Sequence, residues 1–211
     1  FGIAGIVGAG RTELVRAISG ADPTSARAVE IDGVRAVLRG PHDAIARHLV
    51  MVPEDRKREG VVLGHSIADN ISYANFDRIA PRGWFRWAAA ARHAAAPLRR
   101  LSVKGHARQA AGDLSGGNQQ KVVIAKWIAR DPRIIVLDEP TRGIDVGARA
   151  AIYELIASLA RQGMAIILVS SDLEEVLGLS HRVMVLARGR SRGILDRREA
   201  TGARVMELAT A

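Results

Sequence analysis

The chain has 211 residues, 48% of them hydrophobic and 25% charged, with a net charge of +9, which is the balance of a folded globular protein. Without cysteine it builds no disulfide framework, which fits a reducing compartment, and its apolar runs, such as 164–169, fall far short of the ~20 residues that cross a bilayer. Only four of the 31 basic residues are lysine and the arginines are scattered, so the excess charge does not mark a nucleic-acid-binding tract. The length suits one domain, or one with a subdomain. No signal peptide opens the sequence; it starts at Phe1 inside an expected strand and reads as part of something longer.

Residues 3–7, Ile3-Ala4-Gly5-Ile6-Val7, predict a buried strand. Gly8-Ala9-Gly10-Arg11-Thr12 follows directly, then a helix over 13–19 with Leu14, Val15 and Ile18 on its apolar face. Strand, glycine-rich turn and helix make a phosphate-binding arrangement: glycines let backbone N–H groups approach the oxygens, and the helix N-terminus adds its dipole. Against the template GxxxxGK(S/T), Gly5, Gly10 and Thr12 match, and Arg11 stands in the place of lysine. A planar guanidinium fits between β- and γ-phosphates less well than a compact ammonium, so placement of the γ-phosphate should suffer. Residues 28–37 predict a β-hairpin turning at Asp32-Gly33. A short helix over 41–48 and a strand over 49–52 lead to Pro53-Glu54. The charged cluster 54–59 reads as a solvated loop or as local ion pairs.

From 66 to 108 the composition shifts to helix formers. A helix is predicted from Ser66 through Asn75, a break at Pro81-Arg82-Gly83, then an Ala/Arg-rich stretch over 84–100. Trp84, Phe85 and Trp87 among arginines suit a membrane-surface helix, or a face that is partly core and partly docking surface. The stretch 114–145 is the densest in chemistry. Ser115-Gly116-Gly117 leaves backbone N–H groups bare; Val122, Val123, Ala125, Ile128 and Ala129 recur at helical spacing; Asp131-Pro132 stops the run. Ile134-Ile135-Val136-Leu137 then predicts a buried parallel strand ending in Asp138-Glu139. Two carboxylates there are costly without a cation, which a Mg²⁺–phosphate site would supply. A helix over 146–161, a strand over 164–169 ending in Ser170-Ser171-Asp172, strands at 183–186 and 193–195, and a helix over 203–211 complete the chain.

Together GAGRTEL, LSGGNQQ, IIVLDE and Gly143-Ile144-Asp145 resemble the phosphate loop, signature, Walker B strand and D-loop of the ATP-binding cassette (ABC) ATPases. With EDRKREG, DEPTRGID and VSSDLEEV they look like the second, C-terminal nucleotide-binding domain of the double-cassette ATPases of bacterial monosaccharide importers of the ribose, galactose and xylose types; the resemblance runs over 3–208. It implies an α/β P-loop NTPase: a mostly parallel sheet flanked by helices, an antiparallel β portion and a helical subdomain. The whole chain, 1–211, would be one such domain, with a RecA-like core over 1–65 and 112–211 and the helical subdomain over 66–111. The family's first strands and its adenine-stacking aromatic residue have no counterpart here.

The resemblance further implies ATP and Mg²⁺ as cofactors. Gly5, Val7, Gly8, Ala9, Gly10, Arg11, Thr12 and Glu13 would surround the nucleotide, Thr12, Asp138 and Glu54 would hold Mg²⁺, and Glu139 would be the general base. Ser115, Gly116, Gly117, Asn118 and Gln119 would cover ATP held by a second cassette, on the same full-length chain, with Asp145 in the D-loop. Glu54 stands where the family has its Q-loop glutamine, and Ser171 where it has its switch histidine. With Arg11, three departures fall in one pocket, so the chain's own site is expected to be degenerate while its signature serves the partner. The implied setting is the cytoplasmic face of the bacterial inner (plasma) membrane, as a peripheral subunit. There it would work with transmembrane permease subunits and, indirectly, a periplasmic or extracellular sugar-binding protein, and with no nucleic acid. Two other readings are a non-catalytic nucleotide-binding regulatory module and a soluble cassette ATPase acting on nucleic acid. The latter would call for a coiled-coil insertion or a clustered basic arm.

Overall fold

Short apolar runs rich in Val, Ile and Leu pair side by side in the computed structural model, which describes residues 1–22, 29–80 and 83–210. In chain order the strands are β1 (Gly2–Ala4), β2 (Val29–Ile31), β3 (Val34–Ala36), β4 (Leu49–Val52), β5 (Ile134–Asp138), β6 (Ala165–Val169), β7 (Arg182–Ala187) and β8 (Arg190–Asp196). Six of them form one sheet in the order β4-β5-β6-β1-β7-β8. β4, β5, β6, β1 and β7 run parallel, and β8 closes the edge antiparallel to β7. β2 and β3 make a separate hairpin, with Asp32 and Gly33 at φ 53° and 76°, the left-handed pair that a two-residue turn needs.

The chain divides into two compact units. The first takes 1–54, 133–140 and 156–211, and holds both sheets with helices α1 (Arg11–Ile18) and α2 (Pro41–Ala46). Ile3, Val15, Val136 and Val169 are buried together in it, and on the β7 side Ala4, Val176, Val183, Val185 and Val205 make another core. The second unit takes 55–132 and 141–155. There α3 (Ile67–Ser72), α4 (Phe76–Ile79), α5 (Trp87–Arg100) and α6 (Gly116–Ile128) gather, with α3 packed on α5 and α6. Ile67, Ile71, Ala90, Ala94, Val122 and Val123 are wholly buried. The expected helical segment 66–111 lies inside this second unit, which also takes in residues on either side of it. Helix α7 (Val146–Arg161) begins in the second unit and ends in the first; α8 (Leu173–Leu179) and α9 (Gly202–Thr210) belong to the first.

Several boundaries differ from the sequence expectation. β1 ends at Ala4, not at Val7: Ile6 is 46% and Val7 89% exposed, because the chain has already left the sheet for the turn. Helix α1 begins at Arg11, two residues early, and α2 stops at Ala46, before His48 takes φ 59°. The predicted helix 66–75 is α3 alone, capped by the Ser66 hydroxyl, which accepts from the Asp69 N–H at 3.1 Å. The charged cluster is not an open loop: 56–60 wind into a π-helical turn, capped by the Asp55 carboxylate on the N–H groups of Lys57 and Arg58. Helix α8, capped by Asp172 on the N–H groups of Glu174 and Glu175, was not expected. The expectations at 28, 81–82 and 211 lie outside the described residues.

Candidate functional site

In the first unit, β1, β5 and β6 run parallel, so their carboxyl ends meet at one sheet edge, the place where open α/β sheets bind ligands. The turn after β1 is set by glycine geometry. A Cβ on Gly5 would lie 2.5 Å from the Leu186 carbonyl oxygen, and Gly10 sits at φ 93° with the Gly189 backbone 3.2 Å from where its Cβ would be. Ala9 fixes the loop by donating to the Ile6 carbonyl and accepting from the Gly189 N–H, at 3.1 and 2.9 Å. Gly8, at φ 80°, has open space around it, and Val7 and Glu13 face solvent. Helix α1 then starts at Arg11 with no side-chain cap, so its first N–H groups stay available for an anion.

Two pairs of side chains meet beyond the loop. The Thr12 hydroxyl donates to Asp138 Oδ1 at 3.4 Å. Asp138 is fully buried at the end of β5, and its Oδ2 has no hydrogen-bond partner. Burial pushes its carboxyl up to about 6, the Thr12 hydrogen bond pulling the other way and the Glu139 charge adding to the rise. A buried carboxylate with one oxygen unclaimed fits a divalent cation. Among the described residues no group of three or more His, Cys, Asp or Glu side chains converges, so the remaining ligands would be phosphate oxygens and water. Glu54, at the carboxyl end of β4, shares the same sheet edge.

The second pair is Arg11 and Glu139. Arg11 Nη2 lies 3.3 Å from Glu139 Oε1, with side-chain exposures of only 9% and 11%, and Arg11 Nη1 donates to the Ser170 carbonyl. The other carboxylate oxygen of Glu139 accepts from the Ser171 hydroxyl at 3.0 Å. Glu139 itself is held at φ 47°, unusual for a residue with a side chain, by its N–H donating to Val169. Both oxygens of the expected general base are therefore engaged, one of them by the residue in the lysine position. That contact is beyond a sequence template, since the two residues are far apart along the chain.

In the second unit, Ser115 precedes α6 without a side-chain cap on its N–H groups. The first turn of this 13-residue helix consequently offers bare N–H groups from Gly116 onward. Asn118, half-buried, accepts from the Lys104 N–H at 2.9 Å and donates to the Ser115 hydroxyl at 3.0 Å. Gln119 is 7% exposed and donates to the carbonyls of Ala111 and Leu114, which makes it a brace under the turn. Asp145 caps α7 by accepting from the Ala148 N–H at 2.9 Å. Sequence reasoning had no role for Arg56, whose guanidinium donates to the carbonyls of Arg142 and Gly143 at 2.7 and 3.0 Å.

Fold and loop define a P-loop α/β NTPase domain with a mostly parallel sheet. A family model described as ABC transporter matches residues 1–142, and the chain belongs to that family. It is 46% identical over 210 residues to the ribose import ATP-binding protein RbsA of Bacillus licheniformis, covering 99% of this chain and 43% of that protein. To RbsA of Bacillus subtilis it is 44% identical over 214 residues, covering 99% and 43%. The chain thus spans less than half the length of the curated relatives it matches. A nucleotide-free ATP-binding cassette from an ABC transporter shares the fold at TM-score 0.83 and 18% identity, over 98% of this chain and 86% of that one. The ADP conformation of the cassette MJ1267 does so at 0.81 and 19%, over 100% and 87%.

Proposed function

We propose that this chain is the ATP-binding and hydrolysing cassette of a monosaccharide importer, the C-terminal of two on one full-length polypeptide. Its own phosphate site is degenerate, and its signature helix completes the ATP site of the partner cassette. The family membership and the RbsA likeness support the importer assignment. The observation that carries the asymmetric part is the bridge from Arg11 to Glu139 and the Ser170 carbonyl. A general base must be free to accept a proton from water, and Glu139 is instead paired with a guanidinium and hydrogen-bonded by Ser171.

When nucleotide is present, Thr12 and Asp138 are the residues that would hold Mg²⁺, which supplies charge neutralisation on the phosphate oxygens. The chain's own residues do the rest. Gly8 and Gly10 with the start of α1 would give N–H groups to the phosphates, and Ser115, Gly116 and Gly117 would give theirs to the γ-phosphate of the partner's ATP. Residues 66–111 would form the helical subdomain that passes cassette closure to the permease. Exposed Tyr73, Phe76, Trp84 and Phe85 lie in that segment. No helix of the described residues is long and apolar enough to cross a membrane, in keeping with a peripheral place on the cytoplasmic face.

The test is a pair of substitutions in the intact transporter. Ser115→Ala should abolish steady-state ATP turnover, and Arg11→Ala should reduce it far less. Equal losses would show that both sites hydrolyse, and a nucleotide that stays bound with no turnover beside a competent partner would favour a regulatory module.

A further inference from the structure

Arg56 lies at a junction that the phosphate chemistry above leaves unexplained. Its guanidinium spans the Arg142 and Gly143 carbonyls, in the turn that leads into Ile144-Asp145, at 2.7 and 3.0 Å. The same group packs on the first residue of α6: a Cβ on Gly116 would sit 2.9 Å from Arg56 Nη2. On the neighbouring side a Cβ on Gly117 would sit 2.9 Å from the Ala148 Cβ, in the first turn of α7. The two glycines therefore allow helix α6, the turn 142–145 and the start of α7 to close up around one arginine.

The root of Arg56 is fixed by α6 as well. Arg56 opens the π-helical turn 56–60, whose last residue, Gly60, would place a Cβ 2.9 Å from the Val123 side chain. Lys126 Nζ donates to the Gly60 carbonyl at 2.6 Å. One end of the residue is thus anchored along α6 and the other grips the D-loop turn at the N-terminal end of the same helix. A guanidinium can do this because its donors form a rigid planar fork matched to two adjacent acceptors; an ammonium offers no such fork.

We infer that Arg56 is a positioning residue that locks the D-loop turn to the first turn of the signature helix, so that both reach the partner cassette's ATP as one piece. The inference rests on the reading that the α6 end serves a partner's nucleotide. Arg56 acts through Gly143-Ile144-Asp145 and Ser115-Gly116-Gly117, which set the geometry around the γ-phosphate. Misplacement of such groups by about 1 Å costs on the order of 10²-fold in rate. Nucleotide binding to the partner's phosphate loop does not use them.

The test measures kcat and KM for Mg²⁺–ATP in the intact transporter, with thermal melting on the same samples. Arg56→Ala should lower kcat by at least about tenfold, with KM within about twofold and melting unchanged, since water can solvate the two exposed carbonyls. Arg56→Lys, which keeps the charge and loses the fork, should also fall below the parent and lie above the alanine variant. An unchanged kcat, or losses of kcat and melting temperature in proportion, would overturn the inference. Ser115→Ala is measured alongside. If it is inactive while Arg56→Ala is fully active, the inference alone fails; if Ser115→Ala still turns over, the signature reading fails and takes the inference with it.

Discussion

At the scale of residues, Arg11 and Glu139 form a buried ion pair beyond the glycine-rich turn after β1. Removing one member of such a pair strands the other charge and costs about 3–5 kcal/mol, whereas replacing both with apolar groups is often close to neutral. In urea unfolding, Arg11→Met and Glu139→Leu should each lose that much, and the double variant far less than their sum. Additive losses would mean the two side chains are not coupled. Arginine in the lysine position is legible in the sequence, because the template is short and local. Its consequence is not. Which carboxylate the guanidinium finds depends on β6 lying between β5 and β1, a matter of sheet order. Val7 is legible only as an apolar letter; its 89% exposure follows from the chain leaving the sheet at Gly5.

Among the elements, α6 buries a charge. Lys126 lies on it, 9% exposed, and burial lowers its ammonium from 10.5 to about 8. An unfolded chain keeps this proton to higher pH than the folded one does. Between about pH 8 and 10.5 the unfolded state therefore binds more protons, and stability rises with pH across that window. From about pH 7.5 to 9.5 the gain should be roughly 1–2 kcal/mol, read from urea midpoints, and Lys126→Met should flatten it. A parent whose midpoint does not move over that range would contradict the burial of this charge. Long periodic helices are well legible: α7 occupies the residues that its 3.6-residue spacing marks. A short strand such as β4 still shows as an apolar run, but short helices are poorly legible. The seven residues of α8 carry too little periodicity to stand out, and their signal is the cap at Asp172, a local hydrogen-bonding feature.

For the whole molecule, strand type and direction follow from continuous apolar runs separated by helices, which call for a parallel sheet. Strand order does not. The placing of β1 between β6 and β7 leaves no trace in periodicity, yet it alone brings the loop after β1 to Asp138, Glu139 and Ser171. The central claim is that this pocket is a holding site and that the signature end of α6 is the working surface. The most direct measurement is calorimetric titration of Mg²⁺–ATP into the purified chain, with phosphate release assayed in the same samples. Binding without release is the expected result. Sustained release by the chain alone would contradict it, because Glu139 would then be acting as a base despite Arg11 and Ser171.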